Sequence, residues 1–414
     1  MKNLRKSNGS VSVLVLVTIL TMIAVLVTAY MVGNTQRRAQ LQSEIKLKEV
    51  YEAAIDNAGK IYEDVNNKKI ALDKKTLPYT SSTRPYLPND GFSKIIGTDL
   101  NNGLVIEDSE GNQFVWVEVP KTTAVYATSG INITTFTSAN YTTIKNDLMN
   151  YAKYYRSPNY SDEWYNGCGI ETSTKYTELY NKMLKSVYEH GGFWIGRYEF
   201  GIKENTGRAF SGYKDIHSIS GQTPVVQANH IPYNWITCKQ AESFAEYLAP
   251  TGYNGSLLFG IQWDLTCKHL ETKGTNPGST VSTIQAAIKT NSKDWGNYKN
   301  SVFPTVNTDA KYSLDMGVTW IRVTASGYEK KVDVEALITT GSSTKNSMLN
   351  IYDFAGNEYE WTLEKAASGD SLCTARGGYY RGNSTSAASN RTHNANSSNN
   401  NHNSGSYGAR MTIY

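Results

Sequence analysis

Residues 350–362 read NIYDFAGNEYEWT and gather acidic side chains around one short turn. Asp353 and Glu360 flank an Ala-Gly-Asn stretch that runs directly into Trp361. A hard cation such as calcium takes about six to eight oxygens from carboxylates, amides and backbone carbonyls. This turn offers the Asp353 and Glu360 side chains together with the Gly356 and Glu358 carbonyls. An ion held there would pin the turn and do no chemistry. Acids that merely cap strand ends would leave the same pattern.

Softer metals call for thiolates or imidazoles at ligand spacing. The four cysteines, Cys168, Cys238, Cys267 and Cys373, lie far apart and form no CxxC pair, so zinc is not expected. One disulfide and four buried thiols are both compatible with that distribution. His190, His217, His230, His269, His393 and His402 show no ligand spacing either. A different chemistry is suggested near the C-terminus. Asn383, Asn390, Asn394, Asn396 and Asn399 recur among Ser, Thr and His393, with Arg391 held between them and Tyr379, Tyr380 and Tyr407 at the edges. Small adaptable polar residues beside tyrosines suit a binding loop on a rigid scaffold, so these residues are the candidate ligand contacts. A low-complexity loop with no partner is the alternative.

After residues 350–362 come Arg376-Gly377-Gly378 and then Tyr407-Gly408-Ala409-Arg410. This constellation resembles the C-terminal signature of the formylglycine-generating enzyme (sulfatase-modifying factor) family, whose fold is a variant of the C-type lectin fold. Two upstream segments fit the same resemblance. Residues 193–200, FWIGRYEF, look like the strand that opens the family's core, and residues 257–264 keep its tryptophan-acid pair as Trp263-Asp264. The resemblance spans residues 90–414. It implies a structural calcium site at Asp353, Gly356, Glu358 and Glu360, and a framework that includes Trp263, Trp361, Arg376, Arg391 and Arg410. Arg376 and Arg410 are expected as buried ion-pair formers. The family's enzymes oxidise a substrate cysteine with a copper-holding cysteine pair placed after the Arg-Gly-Gly motif. Here residues 379–390 contain no cysteine, Cys373 precedes the motif and Cys267 belongs to an earlier helix. Copper is therefore not expected, and the balance is against an enzyme. The Asn-rich loop also resembles the variable region of lectin-fold proteins diversified by retroelements.

Several elements must position these residues. Residues 103–108 and 113–119 read as a hairpin closed by Asp-Ser-Glu-Gly-Asn, and the second run alternates Phe114, Trp116 and Glu118 against Val115, Val117 and Val119. Residues 121–191 are rich in Tyr and Thr and read as an insertion carrying two helices, near 141–155 and 174–190. A further helix is expected after Thr237 as N-cap, burying Ala241, Phe244, Ala245 and Leu248.

The N-terminus reads separately. Residues 11–32 are almost wholly apolar, long enough for a helix to cross a bilayer, which takes about 20 residues. Lys2, Arg5 and Lys6 precede them and place the N-terminus in the cytoplasm. A cleaved signal peptide is one alternative. A prepilin-like start at Gly9-Ser10 is another, with Leu14 where most pilins carry Glu. Beyond it Leu47, Tyr51, Ala54, Ala58, Ile61 and Val65 form a stripe for a helical stalk, which could self-associate or pack on its own domain. Pro78, Pro85 and Pro88 mark a linker.

Net charge is +4, from 41 basic and 37 acidic residues, with no Lys/Arg block, so nucleic acid is not expected as a partner. Tyrosine outnumbers phenylalanine 29 to 10, which suits ligand-contacting surface. The expected organisation is a cytoplasmic tip (1–9), a transmembrane signal-anchor (10–32), a helical stalk (33–76), a linker (77–89) and an α+β domain of formylglycine-generating-enzyme type (90–414). The expected function is non-catalytic binding of a glycan or protein ligand at the cell surface. Formylglycine generation and a minor pilin-like structural role are the rivals.

Overall fold

The computed structural model describes residues 76–208, 218–274, 281–367, 372–393 and 404–414. The chain divides into two units, Met1–Asp73 and Lys74–Tyr414, and the first lies wholly outside the described residues. The second is a mixed α+β unit of short strands, helices and long connections.

Its main sheet has six strands in the order Ser93–Lys94, Val105–Glu107, Gln113–Glu118, Gly192–Gly196, Met411–Ile413, Gly255–Leu257. The expected hairpin forms with Ile106 opposite Phe114. The Asp108 carboxylate closes its turn by accepting the amides of Glu110 and Asn112 at 2.9 and 2.8 Å. Both faces of Gln113–Glu118 are covered, so the alternation separates two buried layers rather than core from solvent. Trp116 pairs with Trp194 across the strands, edge to face with ring centroids 4.9 Å apart.

A second sheet runs Arg391–His393, Cys373–Arg376, Tyr359–Ala366, Tyr407–Ala409, and Tyr160–Ser161 also pairs with its long third strand. The last residues join the two sheets: Tyr407–Ala409 lies parallel to Tyr359–Ala366, and Met411–Ile413 enters the main sheet one residue later. Arg410 sits at that joint.

Five helices are described: α1 (Ser138–Tyr151), α2 (Ser173–His190), α3 (Cys238–Tyr247), α4 (Gly260–Lys273) and α5 (Val281–Lys289). α1 begins three residues earlier than its apolar pattern suggests, because Thr137 and Asn140 form a reciprocal capping box. α2 starts at its Thr172 cap and stops at Gly191, which is left-handed (φ 69°). α3 is capped by Thr237 as expected and buries Ala241, Phe244 and Ala245, whereas Leu248 is only half-buried. The first turn of α4 lacks a side-chain cap on its own N-cap residue, Phe259. Asp162 supplies one from a distance, accepting the amides of Gly260 and Ile261 at 2.6 and 3.1 Å.

Two expectations change. Among the described residues no helix is long and apolar enough to cross a membrane, so the single-pass, cell-surface placement is withdrawn. The proposed span at 10–32 and the stalk up to residue 75 lie outside the described residues. Residues 77–89, expected as a linker, instead run along the main sheet. Thr83 accepts the indole N–H of Trp116 at 2.9 Å, and the Tyr86 carbonyl accepts that of Trp194 at 2.9 Å. Buried indole N–H groups need such partners, which is what ties this segment down.

Candidate functional site

The acidic turn is built on a backbone that repeatedly enters the left-handed region. Leu349, Asn350, Asp353 and Asn357 all have φ between 51° and 63°. Asn and Asp tolerate this better than most residues, and Leu349 is the costly one. Gly356 (φ 73°) sits against Asn297, where an added Cβ would lie 2.4 Å from the Asn297 carbonyl oxygen. Asn357 fixes the turn from below: its side chain accepts the Ile338 amide at 3.1 Å and the Asn297 amide group at 3.0 Å, and donates to Glu199 and to the Ile338 carbonyl.

The residues expected to hold calcium are buried around this turn. Asp353 accepts the Gly341 amide at 2.7 Å and the Asn346 side chain at 2.6 Å. Glu360 takes both arms of Arg410, Nε at 3.0 Å and Nη2 at 2.9 Å. Arg410 also donates to the carbonyls of Gly196 and Tyr352 at 2.7 and 2.6 Å, so one guanidinium ties both sheets to the turn. A calcium ion bound through Asp353 and Glu360 would have to displace these donors. Among the described residues no group of three or more His, Cys, Asp or Glu side chains is placed to hold a metal.

Glu358 is different. Its side chain is fully buried, and neither oxygen has a hydrogen-bond partner among the described residues. One of them lies so close to Gly408 that a Cβ there would come within 2.1 Å. Glu199, also buried, leaves its second oxygen unpartnered. Burial, then the neighbouring Glu360 and Asp353, holds the Glu358 carboxyl well above the ordinary range. Burial and Asp353, Glu358 and Glu360 do the same to Glu199. Asp353 is pushed up to about 7, chiefly by burial and against the pull of the Gly341 amide and Arg410. Burial thus favours the protonated form of each of these acids.

The framework arginines form a second buried centre. Arg376 bridges Asp264 (2.8 Å) and Glu364 (3.1 Å), and Arg391 bridges the same pair at 2.7 and 2.9 Å. Arg156 joins at 2.9 Å from Asp264 and lies 3.7 Å from Asp162. Three guanidiniums thus face three carboxylates. Burial raises Asp264, but Arg391, Arg376 and Arg156 outweigh it and hold the group below its ordinary value. Trp263 stacks on Phe354 (4.1 Å, 17°) and donates to the Ala388 carbonyl at 2.9 Å. Trp361 donates to the Ile236 carbonyl at 3.0 Å. Asp162, Arg156 and Glu364 were not singled out in the sequence. Arg156 and Asp162 come from the connection between the helices at 138–151 and 173–190, Glu364 from the strand Tyr359–Ala366, and they carry no shared motif.

The thiols are not available at this face. Cys238 and Cys373 form a disulfide, and Cys168 and Cys267 are free and buried. Burial pushes the Cys267 thiol far above its ordinary range.

The expected ligand contacts divide. Tyr379 is half-buried and stacks on Tyr359 (4.5 Å), which leans on Tyr407 (5.3 Å), which in turn stacks on Trp361 (4.5 Å). Tyr359 and Tyr379 reach the surface, while Tyr407 and Tyr380 are buried. Tyr380 donates to the Gly405 carbonyl at 3.4 Å and belongs to the scaffold. Asn383 is exposed, and Asn390 uses its carbonyl to accept Arg376 Nε at 3.1 Å. His393 ends the edge strand opposite Thr374. Asn394, Asn396 and Asn399 lie outside the described residues. Beside the ladder Arg381 and Lys299 both pair with Glu335 at 2.9 Å. Tyr359 and Arg381 were missed as candidates, although Tyr359 lies within the 350–362 motif and Arg381 three residues past Arg376-Gly377-Gly378.

No family model matches the chain, and comparison with curated proteins and with solved structures gives no match.

Proposed function

We propose that this chain is a non-catalytic binding protein, built on a formylglycine-generating-enzyme-type variant of the C-type lectin fold, that takes a protein ligand at the face carrying Tyr359 and Tyr379. The fold assignment rests on the motif resemblance, supported by a C-terminal segment shared between two sheets and locked by Arg410. The observation that carries the binding reading is the four-ring ladder. Tyr407 and Trp361 anchor it inside, and the half-buried Tyr359 and Tyr379 carry large, rigid, amphipathic rings to the surface. Next to them lie exposed Asn383 and the Arg381–Glu335 pair. Aromatic anchors ringed by adaptable polar groups are what protein-binding loops use.

The test is capture of surface proteins by the full chain, compared with Tyr359→Ala, Tyr379→Ala and deletion of residues 394–403. Loss of one aromatic anchor should weaken capture by about 30-fold. Capture that all three changes leave intact, or binding on a glycan array without any protein ligand, would overturn the proposal.

A further inference from the structure

α1 and α2 face each other across an unfilled cleft. α1 presents Ser138, Tyr141, Thr142 and Lys145, and α2 presents Ser173, Tyr176, Thr177 and Tyr180. Both sets follow the i, i+3, i+4, i+7 spacing that puts residues on one helical face. Helices that pack simply for stability fill such faces with leucine or isoleucine. Here the facing positions are mostly hydroxyls and rings with one ammonium, joined by Asn181 and a single leucine, Leu184, and with residues 162–164 they line about 440 Å3. Small-molecule sites span roughly 300–1,000 Å3.

The floor of the cleft is preformed. The Tyr176 and Tyr180 rings lie parallel, 6.4 Å apart, and each meets Phe259 nearly edge-on at 5.4 and 5.0 Å. Tyr176 donates its hydroxyl to the Leu363 carbonyl at 3.1 Å. The Tyr180 hydroxyl is buried and faces the Asp162 carboxylate. On the third wall Trp164 commits its indole N–H to the Ile170 carbonyl at 2.9 Å, leaving only its ring to offer. Thr142 and Thr177 donate back to the Ser138 and Ser173 carbonyls at 3.0 and 2.8 Å, so their oxygens remain as acceptors.

Charge narrows the occupant. Asp162 is taken up by the α4 amides, and Glu163 pairs with Lys365 at 3.6 Å. Lys145 lies over the Tyr180 ring, 5.7 Å from its centroid, and has no carboxylate partner among the described residues. Rings for the C–H faces of a sugar, acceptor oxygens for its hydroxyls and one unneutralised ammonium describe a receptor for a carboxylate-bearing saccharide. We propose that the cleft between α1 and α2 binds an acidic sugar of the uronic acid class, with Lys145 taking its carboxylate and Tyr141 and Trp164 flanking its ring.

The test is calorimetric titration of the full chain with trigalacturonate and, separately, with neutral maltotriose. Trigalacturonate should bind saturably, and Lys145→Gln should weaken it by about tenfold. Tyr141→Ala should weaken it to a similar extent, and maltotriose should bind at least about tenfold more weakly. Trp164→Phe should remove a tryptophan fluorescence change that accompanies binding. Lys145 and Tyr141 are partly exposed, so their variants should keep the parent's circular dichroism and melting temperature. Deleting residues 394–403 should leave sugar binding unchanged, which separates this site from the proposed protein-binding face. Absence of saturable trigalacturonate binding, equal affinity for maltotriose, or indifference to both the Lys145 and Tyr141 changes would each overturn the assignment.

Discussion

Glu199, Asp353, Glu358 and Glu360 are buried close enough to act on one another, and Arg410 pairs with Glu360, so ionising the whole set would leave more buried negative charge than one guanidinium offsets. A carboxyl group whose pKa is raised by folding keeps its proton in the native state where the unfolded chain has already released it. Asp353, moved from an ordinary 3.8 to about 7 by burial above all, therefore stabilises the fold fully below about pH 4, and that stability is lost as pH rises to about 7. Glu358 and Glu199, raised in the same direction by burial and the neighbouring acids, add to that loss. The melting temperature should accordingly fall between pH 5 and pH 8. Glu358→Gln, which keeps the shape and removes the charge, should raise stability at pH 8 and change little at pH 5. Thermal melts at the two pH values decide it: a variant equally destabilised at both would show that Glu358 is not a charge liability. The calcium reading of this turn forecasts something else, a melting temperature that calcium restores at pH 8. The motif around Asp353 and Glu360 was legible in the sequence. The isolation of Glu358 was not, because it depends on Glu199 and Gly408 arriving from distant segments.

At the scale of elements, capping signals were the most legible part of the chain. Thr237 was expected as a cap because a capping hydroxyl is recognised within four residues, and its partner Gln240 completes the box. Thr237→Ala should cost about 1 kcal/mol in denaturant unfolding, and a cost near zero would show that tertiary contacts alone hold α3. Long-range caps leave no such trace: Asp162 serves α4 across nearly a hundred positions of sequence. The joint between the sheets is equally non-local. Arg410→Met removes the guanidinium from Glu360 and from the carbonyls of Gly196 and Tyr352, and should destabilise by about 3–5 kcal/mol at neutral pH. Arg410→Lys keeps the charge but not the fork, so it should recover only part of that loss in the same urea titration.

For the described unit as a whole, the disulfide is the one covalent link between α3 and the second sheet, joining Cys238 to Cys373 across 135 positions. The sequence left pairing open because cysteine spacing does not encode spatial neighbours. Folding resolves it by placing the N-terminus of α3 against the strand Cys373–Arg376 and by burying Cys168 and Cys267 elsewhere. A long closed loop removes much entropy from the unfolded chain, so the Cys238→Ser, Cys373→Ser double variant should lose about 2–5 kcal/mol. Thiol labelling gives an independent check. In the native protein Cys168 and Cys267 should resist alkylation because they are buried and Cys267 is held strongly protonated. Denaturation without reductant should expose those two alone, and addition of reductant should release two more. Four reactive thiols in the unreduced denatured protein would mean that Cys238 and Cys373 stand side by side without a bond, and the double variant should then cost no more than the loss of two buried side chains.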